Sequence, residues 1–366
     1  MKNRFMTMTA GALAVSVLLA GGVMGAETEA EIPVNVDGVV SILANAHVGD
    51  LGEAVTSYEI TLEDASAYAD AAADSFTVDG SSEGVSFEVK DNVITLTVPD
   101  VILSSAVVLN EGTGLCFTKA EVTEIADPDT AAFDVCSYTG ENGMEINYRL
   151  RASASEKQPL VIALHGAGEC GSDNEVQITG NRGAVAWADY TKDATILAPQ
   201  YPEKYTTPFE EGQEEIMTAF LETLTEIVNS LIEDGIVDEN RIYLSGISMG
   251  GGLSWEYAAR YPDMFAGIVT FSTRGTIAEV LDNMDRLEDI KTIPCWLFHA
   301  AGDIVNPTLN SLDLYKGMTA LGNENAHLSI YDALDAEMQG LFIHFSWVGG
   351  LNTTSMMDWM FEQSRA

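Results

Sequence analysis

The run Ile242–Gly252, IYLSGISMGGG, constrains this chain more than any other, because an apolar strand signal passes directly into G-x-S-x-G and then into helical spacing. In such a nucleophile elbow a serine, here Ser248, sits on a turn so tight that its hydroxyl stands clear of the sheet while its backbone opens a helix. Gly246 and Gly250 flank the serine at the two positions where a Cβ would collide across the turn. A glycine-rich strand-to-helix turn without chemistry would share the pentapeptide, so context separates the two readings. Arg241–Ile247 is apolar, Leu253–Tyr261 (LSWEYAARY) has helical spacing, and Pro262 stops it.

An acyl-transfer site built on such an elbow continues in chain order with an acid and a histidine, each beyond a later strand. The strand signal Ile293–Ala300 (IPCWLFHA) empties into AGDIVNP, which makes Asp303 the candidate acid. Of the five histidines, His47 lies far upstream, His165 precedes the elbow and His299 falls inside the strand leading to Asp303. His327 begins the alternating segment HLSIYDA and reads as a packing or edge residue. His344, in LFIHFSWV, follows that segment on a stretch free to return to the serine, and is the candidate base.

An oxyanion needs two preorganised N–H donors, one from the residue after the nucleophile and one from a loop after an earlier strand. Met249 holds the first position. The buried-strand run Leu160–Leu164 (LVIAL) is followed by HGAGE, whose glycines let the backbone turn its amides toward a ligand, and Ala167 is the expected second donor.

Around these residues strand signals recur as LVIAL, ATILAPQ, RIYLSGI, FAGIVTFST, PCWLFHA and HLSIYDA, with helical segments between several of them. The longest, 211–234, places Ile216, Phe220, Leu221, Leu224, Ile227 and Leu231 on one face and acids on the other. This alternation predicts an α/β domain with a doubly wound, mostly parallel sheet and its chemistry at the carboxyl ends of the strands. From about Gly143 onward, LHGAGE, GISMGG, YPDMFAGIV, AGDIVNP and HFSW resemble, in order, an α/β-hydrolase of the esterase group that includes feruloyl esterases and polyhydroxyalkanoate depolymerases. The resemblance implies serine hydrolysis and leaves the substrate open. Two departures bear on specificity: Ile304, Val305 and Asn306 follow the acid where that group has a charged residue, and Phe345 follows the histidine where it often has a small or acidic one.

The amino-terminal part differs in kind. Lys2 and Arg4 precede an apolar run from Ala10 to Val23 and the small residues Gly25 and Ala26, the pattern of a cleaved export signal over 1–26 and of a secreted chain. The run is too short for a stable membrane span. Residues 27–140 are acid-rich, with Lys90 and Lys119 as the only lysines and no arginine, and carry period-2 segments such as VTSYEITL, VSFEVK, VITLTV and AVVLN. Such spacing predicts an all-β sandwich, and it resembles the immunoglobulin-like domain attached to some secreted esterases. A linker is expected near Tyr138–Gly143, with the hydrolase occupying 141–366.

The formal charge of −39 excludes nucleic acid and anionic polymers as natural partners. No Cys or His spacing of a metal site and no phosphate-binding loop is present, so no cofactor is expected. Cys116 and Cys136 share the amino-terminal part and form the first disulfide pairing to consider, while Cys170 reads as structural. The combined expectation is a secreted serine esterase acting on a small-molecule or polymeric ester through Ser248, His344 and Asp303. A peptidase with the same residues, or a binding protein on a hydrolase scaffold, is the alternative. The amino-terminal domain is a candidate for polymer binding or oligomerisation. Only a short segment separates the strand ending at Thr273 from the one beginning at Ile293, which predicts an open cleft without a lid.

Overall fold

The computed structural model describes residues 34–202 and 208–365. The leader read at 1–26 lies outside the described residues. Short alternating segments come first: β1 (Val39–Gly49), β2 (Gly52–Leu62), β3 (Phe76–Val78), β4 (Ser86–Lys90), β5 (Val93–Ile102), β6 (Val108–Asn110), β7 (Cys116–Phe117) and β8 (Glu124–Ala126). They form a five-stranded sheet in the order β4-β5-β2-β1-β8 and a three-stranded sheet in the order β3-β6-β7. Period-2 alternation gathers Ile42, Tyr58, Ile60, Ile94 and Leu96 from the larger sheet into one core with Phe76, Val108 and Phe117 of the smaller. The expected all-β sandwich is present.

The second unit is built on β9 (Asp134–Thr139), β10 (Glu145–Arg151), β11 (Gln158–Leu164), β12 (Thr195–Pro199), β13 (Val237–Ile247), β14 (Gly267–Phe271), β15 (Cys295–Ala300) and β16 (Ala326–Tyr331). Its sheet runs β16-β15-β14-β13-β11-β12-β10-β9, and every pair from β12 to β16 is parallel. Parallel strands are covered on both faces, so they read as continuous apolar runs. Leu160, Ile162 and Leu164 of β11 face a core shared with the helix Glu214–Glu233, while Val161 and Ala163 face a second core shared with the helix Thr354–Phe361. The strand signals read from sequence fall on β11 through β16, and the doubly wound α/β expectation holds.

Two expectations are corrected. The turn-rich segment 138–143 is no linker: Tyr138 and Thr139 end β9, Glu145 opens β10, and the two strands pair antiparallel as a hairpin of the large sheet. Hairpin turns and linkers draw on the same residues, and only strand pairing tells them apart. Cys116 and Cys136 form no disulfide; they lie on β7 and β9 of different sheets, and all four cysteines are free.

The chain passes between the units at Asp127, which caps the short helix Pro128–Ala131, and a polar seam ties them together. Lys119 Nζ lies 3.4 Å from Glu53 Oε2 and 2.9 Å from Glu175 Oε1, Val48 N donates to Asp129 Oδ2 at 2.9 Å, and Arg182 reaches Asp50 at 3.4 Å. Burial raises the Glu53 carboxyl, and Lys119 offsets part of that rise. Lys119→Met leaves that buried carboxylate without its cation and is expected to cost about 1–2 kcal/mol, reduced from a fully buried pair because the lysine is partly exposed. Thermal unfolding of the full chain measures it, as a fall in Tm of a few degrees.

Candidate active site

Ser248 stands between Ile247, the last residue of β13, and Met249, the first of the helix Met249–Arg260, with φ 54° and ψ −109°. That left-handed conformation costs a non-glycine residue about 1–3 kcal/mol and persists only where its surroundings over-determine it. Here Ser248 N donates to Phe271 O at 2.8 Å, and Ser248 O accepts from Gly251 N and Arg274 N, each at 3.0 Å. A Cβ on Gly246 would lie 2.2 Å from Gly250 O, and one on Gly250 would lie 2.1 Å from Leu164 O. Both glycines are therefore obligatory for backbone to cross backbone.

The loops beyond β15 and β16 bring two more of the expected residues to this serine. His344 Nε2 is 3.1 Å from Ser248 Oγ, and His344 Nδ1 is 2.7 Å from Asp303 Oδ2. Nδ1 carries the proton toward the carboxylate, so Nε2 is left as an acceptor for the serine hydroxyl. Asp303 Oδ1 accepts from Val305 N at 2.8 Å and Asn306 N at 3.0 Å. Burial alone would raise the Asp303 carboxyl, but hydrogen bonds from His299 and His344, the His344 charge and the Val305 amide outweigh it and hold the group well below the usual carboxylate range. Ser272, also at positive φ (47°), anchors the histidine by donating from Oγ to His344 O at 2.7 Å. The His344 ring meets Trp347 edge-on at 5.3 Å between centroids.

The candidate oxyanion donors border the same point. Met249 begins the helix behind Ser248, and Ala167 opens the single helical turn Ala167–Glu169 beyond β11. A methyl on Gly166 would lie 3.8 Å from Ser248 Cβ, which brings this loop against the elbow. His165 fixes the start of the loop: its Nε2 accepts from Tyr201 N at 2.9 Å, so Nδ1 bears the proton and donates to Gly166 O at 2.6 Å. Burial lowers this imidazole to about 4, which keeps it neutral. Cys170 Sγ lies 3.7 Å from Met249 Sδ, and its thiol is pushed up to about 12 by burial and by Glu169. It is inert packing, as read from sequence. Among the described residues no group of three or more His, Cys, Asp or Glu is arranged to hold a metal ion, and no helix is long and apolar enough to cross a membrane.

Residues 147–343, more than half of the chain, match the phospholipase/carboxylesterase family. The chain belongs to that family. Among relatives of this phospholipase/carboxylesterase chain, NocK of Nocardia uniformis subsp. tsuyamanensis, assigned as an esterase, is 30% identical over 164 residues, 42% of this chain and 44% of NocK. A poly(3-hydroxybutyrate) depolymerase of Ralstonia pickettii is 26% identical over 120 residues, 31% of this chain and 24% of the relative. The chain thus spans less than half the length of either. The crystal structure of a thermostable esterase, 25% identical with a TM-score of 0.68, covers 89% of this chain and 100% of its own. So wide an overlap takes in sandwich strands as well as the large sheet. The resemblance to an α/β-hydrolase of the esterase group holds at the level of family and fold.

Three polar residues of the site escaped the sequence reading. His299, set aside because it precedes the acid, has Nε2 at 3.3 Å from Asp303 Oδ2 and at 2.9 Å from Asn306 O, with Nδ1 at 2.7 Å from Ser311 Oγ. Its place four residues before Asp303, at a strand end, was the available signal. Asn306, noted only as a departure, reaches Ser248 Oγ at 3.2 Å. Glu169 ends the turn Ala167–Glu169, with Oε1 at 3.3 Å from Asn181 Nδ2 and a buried Oε2 that has no hydrogen-bond partner.

Burial raises the Glu169 carboxyl from 4.5 to about 7 despite the Asn181 amide and nearby backbone N–H groups. The folded chain then keeps a proton that the unfolded chain loses near 4.5, and native stability falls as pH rises across that window. Glu169→Gln abolishes the loss. Its unfolding free energy relative to the parent is expected to grow from pH 4.5 to about 7 and then level off, by about 1–3 kcal/mol. Denaturant unfolding of both proteins at several pH values measures it, and parallel curves would refute the assignment.

Proposed function

We infer that the chain is a serine esterase hydrolysing carboxylic esters by two-step acyl transfer. The observation that carries this reading is the continuous line Asp303–His344–Ser248 at 2.7 and 3.1 Å, on a strained elbow, in a phospholipase/carboxylesterase chain. Ser248 Oγ attacks the ester carbonyl as its proton passes to His344 Nε2, while Asp303 orients the imidazole and balances its charge. The carbonyl oxygen takes the negative charge, facing the amides of Met249 and Ala167. The tetrahedral species collapses, the alcohol leaves with the proton from His344, and a water activated by the same imidazole releases the acid.

The substrate we infer is an uncharged, apolar ester, small or polymeric. Ile304 and Leu309 are 76% and 60% exposed beside the acid, and no charged residue stands between Asp303 and Asp313. The Phe342 ring meets the His344 ring edge-on at 6.5 Å and the Phe345 ring at 5.5 Å. The formal charge of −39 disfavours anionic substrates and favours departure of the carboxylate product.

We place the division between an immunoglobulin-like domain and the hydrolase between Ala126, which ends β8, and Asp134, which opens β9. Lys2, Arg4 and the apolar run ending at Val23 support export with cleavage near Ala26. The sandwich is the candidate for polymer binding or oligomerisation, and the hydrolase requires no cofactor in this reading.

Hydrolysis of a short-to-long series of p-nitrophenyl esters by the full chain and by Ser248→Ala tests the reading. The parent is expected to turn over, and the variant to lose about 10⁴-fold or more in kcat. Equal activity of the two, or absence of fluorophosphonate labelling in folded parent protein, would overturn it.

A further inference from the structure

We propose that Asn306 is a further catalytic residue, whose side-chain amide donates to Ser248 Oγ and steadies the negative charge that gathers on that oxygen while the serine attacks and again while it leaves. This rests on the serine-esterase reading given above.

Asn306 is the point at which the separate loops of the site meet. Its backbone N donates to Asp303 Oδ1 at 3.0 Å, and its carbonyl accepts from His299 Nε2 at 2.9 Å. Its Nδ2 donates to Ser272 O at 2.8 Å and to Ser248 Oγ at 3.2 Å. The orientation of the amide follows from its partners. A backbone carbonyl can only accept, so the group facing Ser272 O is the NH₂ and not the oxygen. The side chain is buried, with 8% of the residue exposed, and its two N–H groups are committed to these two acceptors.

The chemistry follows from where the hydrogens are. Because Asn306 donates an N–H hydrogen bond to Ser248 Oγ, the hydroxyl's own hydrogen is free for His344 Nε2 at 3.1 Å, the direction in which it must leave. As the Oγ–carbon bond forms and the O–H bond breaks, the oxygen passes through an alkoxide-like stage. A hydrogen bond to such a charged acceptor is stronger than one to a neutral hydroxyl. Once the acyl-enzyme has formed, Oγ is an ester oxygen and a poor acceptor, so the contact relaxes. It tightens again when water attacks and Oγ departs with the proton returned by His344. The interaction is therefore strongest where charge develops, which raises kcat more than it changes binding.

The backbone bonds of residue 306 are made by main-chain atoms and survive substitution of the side chain, so the acid stays anchored. Asn306→Leu keeps the branched outline without a donor, and Asn306→Asp keeps the polar shape while replacing the donor with an acceptor. In the full chain, active sites are first counted by exhaustive fluorophosphonate labelling, and kcat is expressed per labelled site. Both variants are expected to lose about tenfold to a hundredfold in kcat per site, with KM within about twofold of the parent. The second-order rate of labelling falls by a similar factor, since it also requires attack by Ser248 Oγ.

A fall in the number of labelled sites with kcat per site unchanged means that Asn306 only holds the loop, and overturns the proposal. So does a rise in KM at constant kcat. If Asn306→Leu fails to fold, Asn306→Asp supplies the same readings. The Ser248→Ala control separates the two levels: loss of activity there with unchanged Asn306 variants refutes this proposal alone, and retained activity in Ser248→Ala removes the esterase reading with it.

Discussion

Backbone lies against backbone at the elbow, and the rest of the site depends on that approach. The helix Met249–Arg260 crosses the ends of β13 and β11 so closely that a single methyl on Gly250 would sit 2.1 Å from Leu164 O. Only because the helix comes this near can Ser248 be held at φ 54° with its hydroxyl raised above the sheet. The same crossing brings the loop after β11 within reach of Ser248. A distortion of about 1–3 kcal/mol at one residue is thereby maintained by the packing of two cores that the residue itself does not belong to.

Above that crossing the electrostatics are arranged around one carboxylate. Asp303 is buried, which opposes its charge, yet two histidines and two backbone amides face it. Two titratable groups of the neighbouring loop are shifted toward their neutral forms: His165 by burial, between Tyr201 N and Gly166 O, and Glu169 by desolvation of its carboxyl. The Asp303 carboxylate lies behind His344, on its Nδ1 side at 2.7 Å.

The sandwich meets the hydrolase through the edges of this same neighbourhood. Lys119 joins Glu53 of β2 to Glu175, which precedes the helical turn Val176–Thr179, and the hairpin between β1 and β2 abuts Thr179 and Gly180. Asn181 in that segment holds Glu169. The seam and the loop beside Ser248 therefore share a chain of contacts, although the two units have separate cores.

Local pattern alone made much of this legible: strands from their apolar runs, the elbow from its glycines, and the positions of Asp303 and His344 from their order after it. Each is a property of a short segment whose period or steric demand is written in its own residues. The sequence by itself determined an α/β sheet with a strained serine at one strand end, a β-rich region before it, and strand-end positions for Asp303 and His344. Tertiary structure decided the rest, because it depends on which segments meet: that 138–143 turns a hairpin instead of linking domains, that Cys116 and Cys136 sit on different sheets, that His299 lies against Asp303, and that Asn306 reaches Ser248. A residue such as Asn306 carries no periodicity and no composition signal. Its contact with Ser248 exists only once separate loops have converged, since hydrogen bonds are made between atoms close in space and sequence records only closeness along the chain.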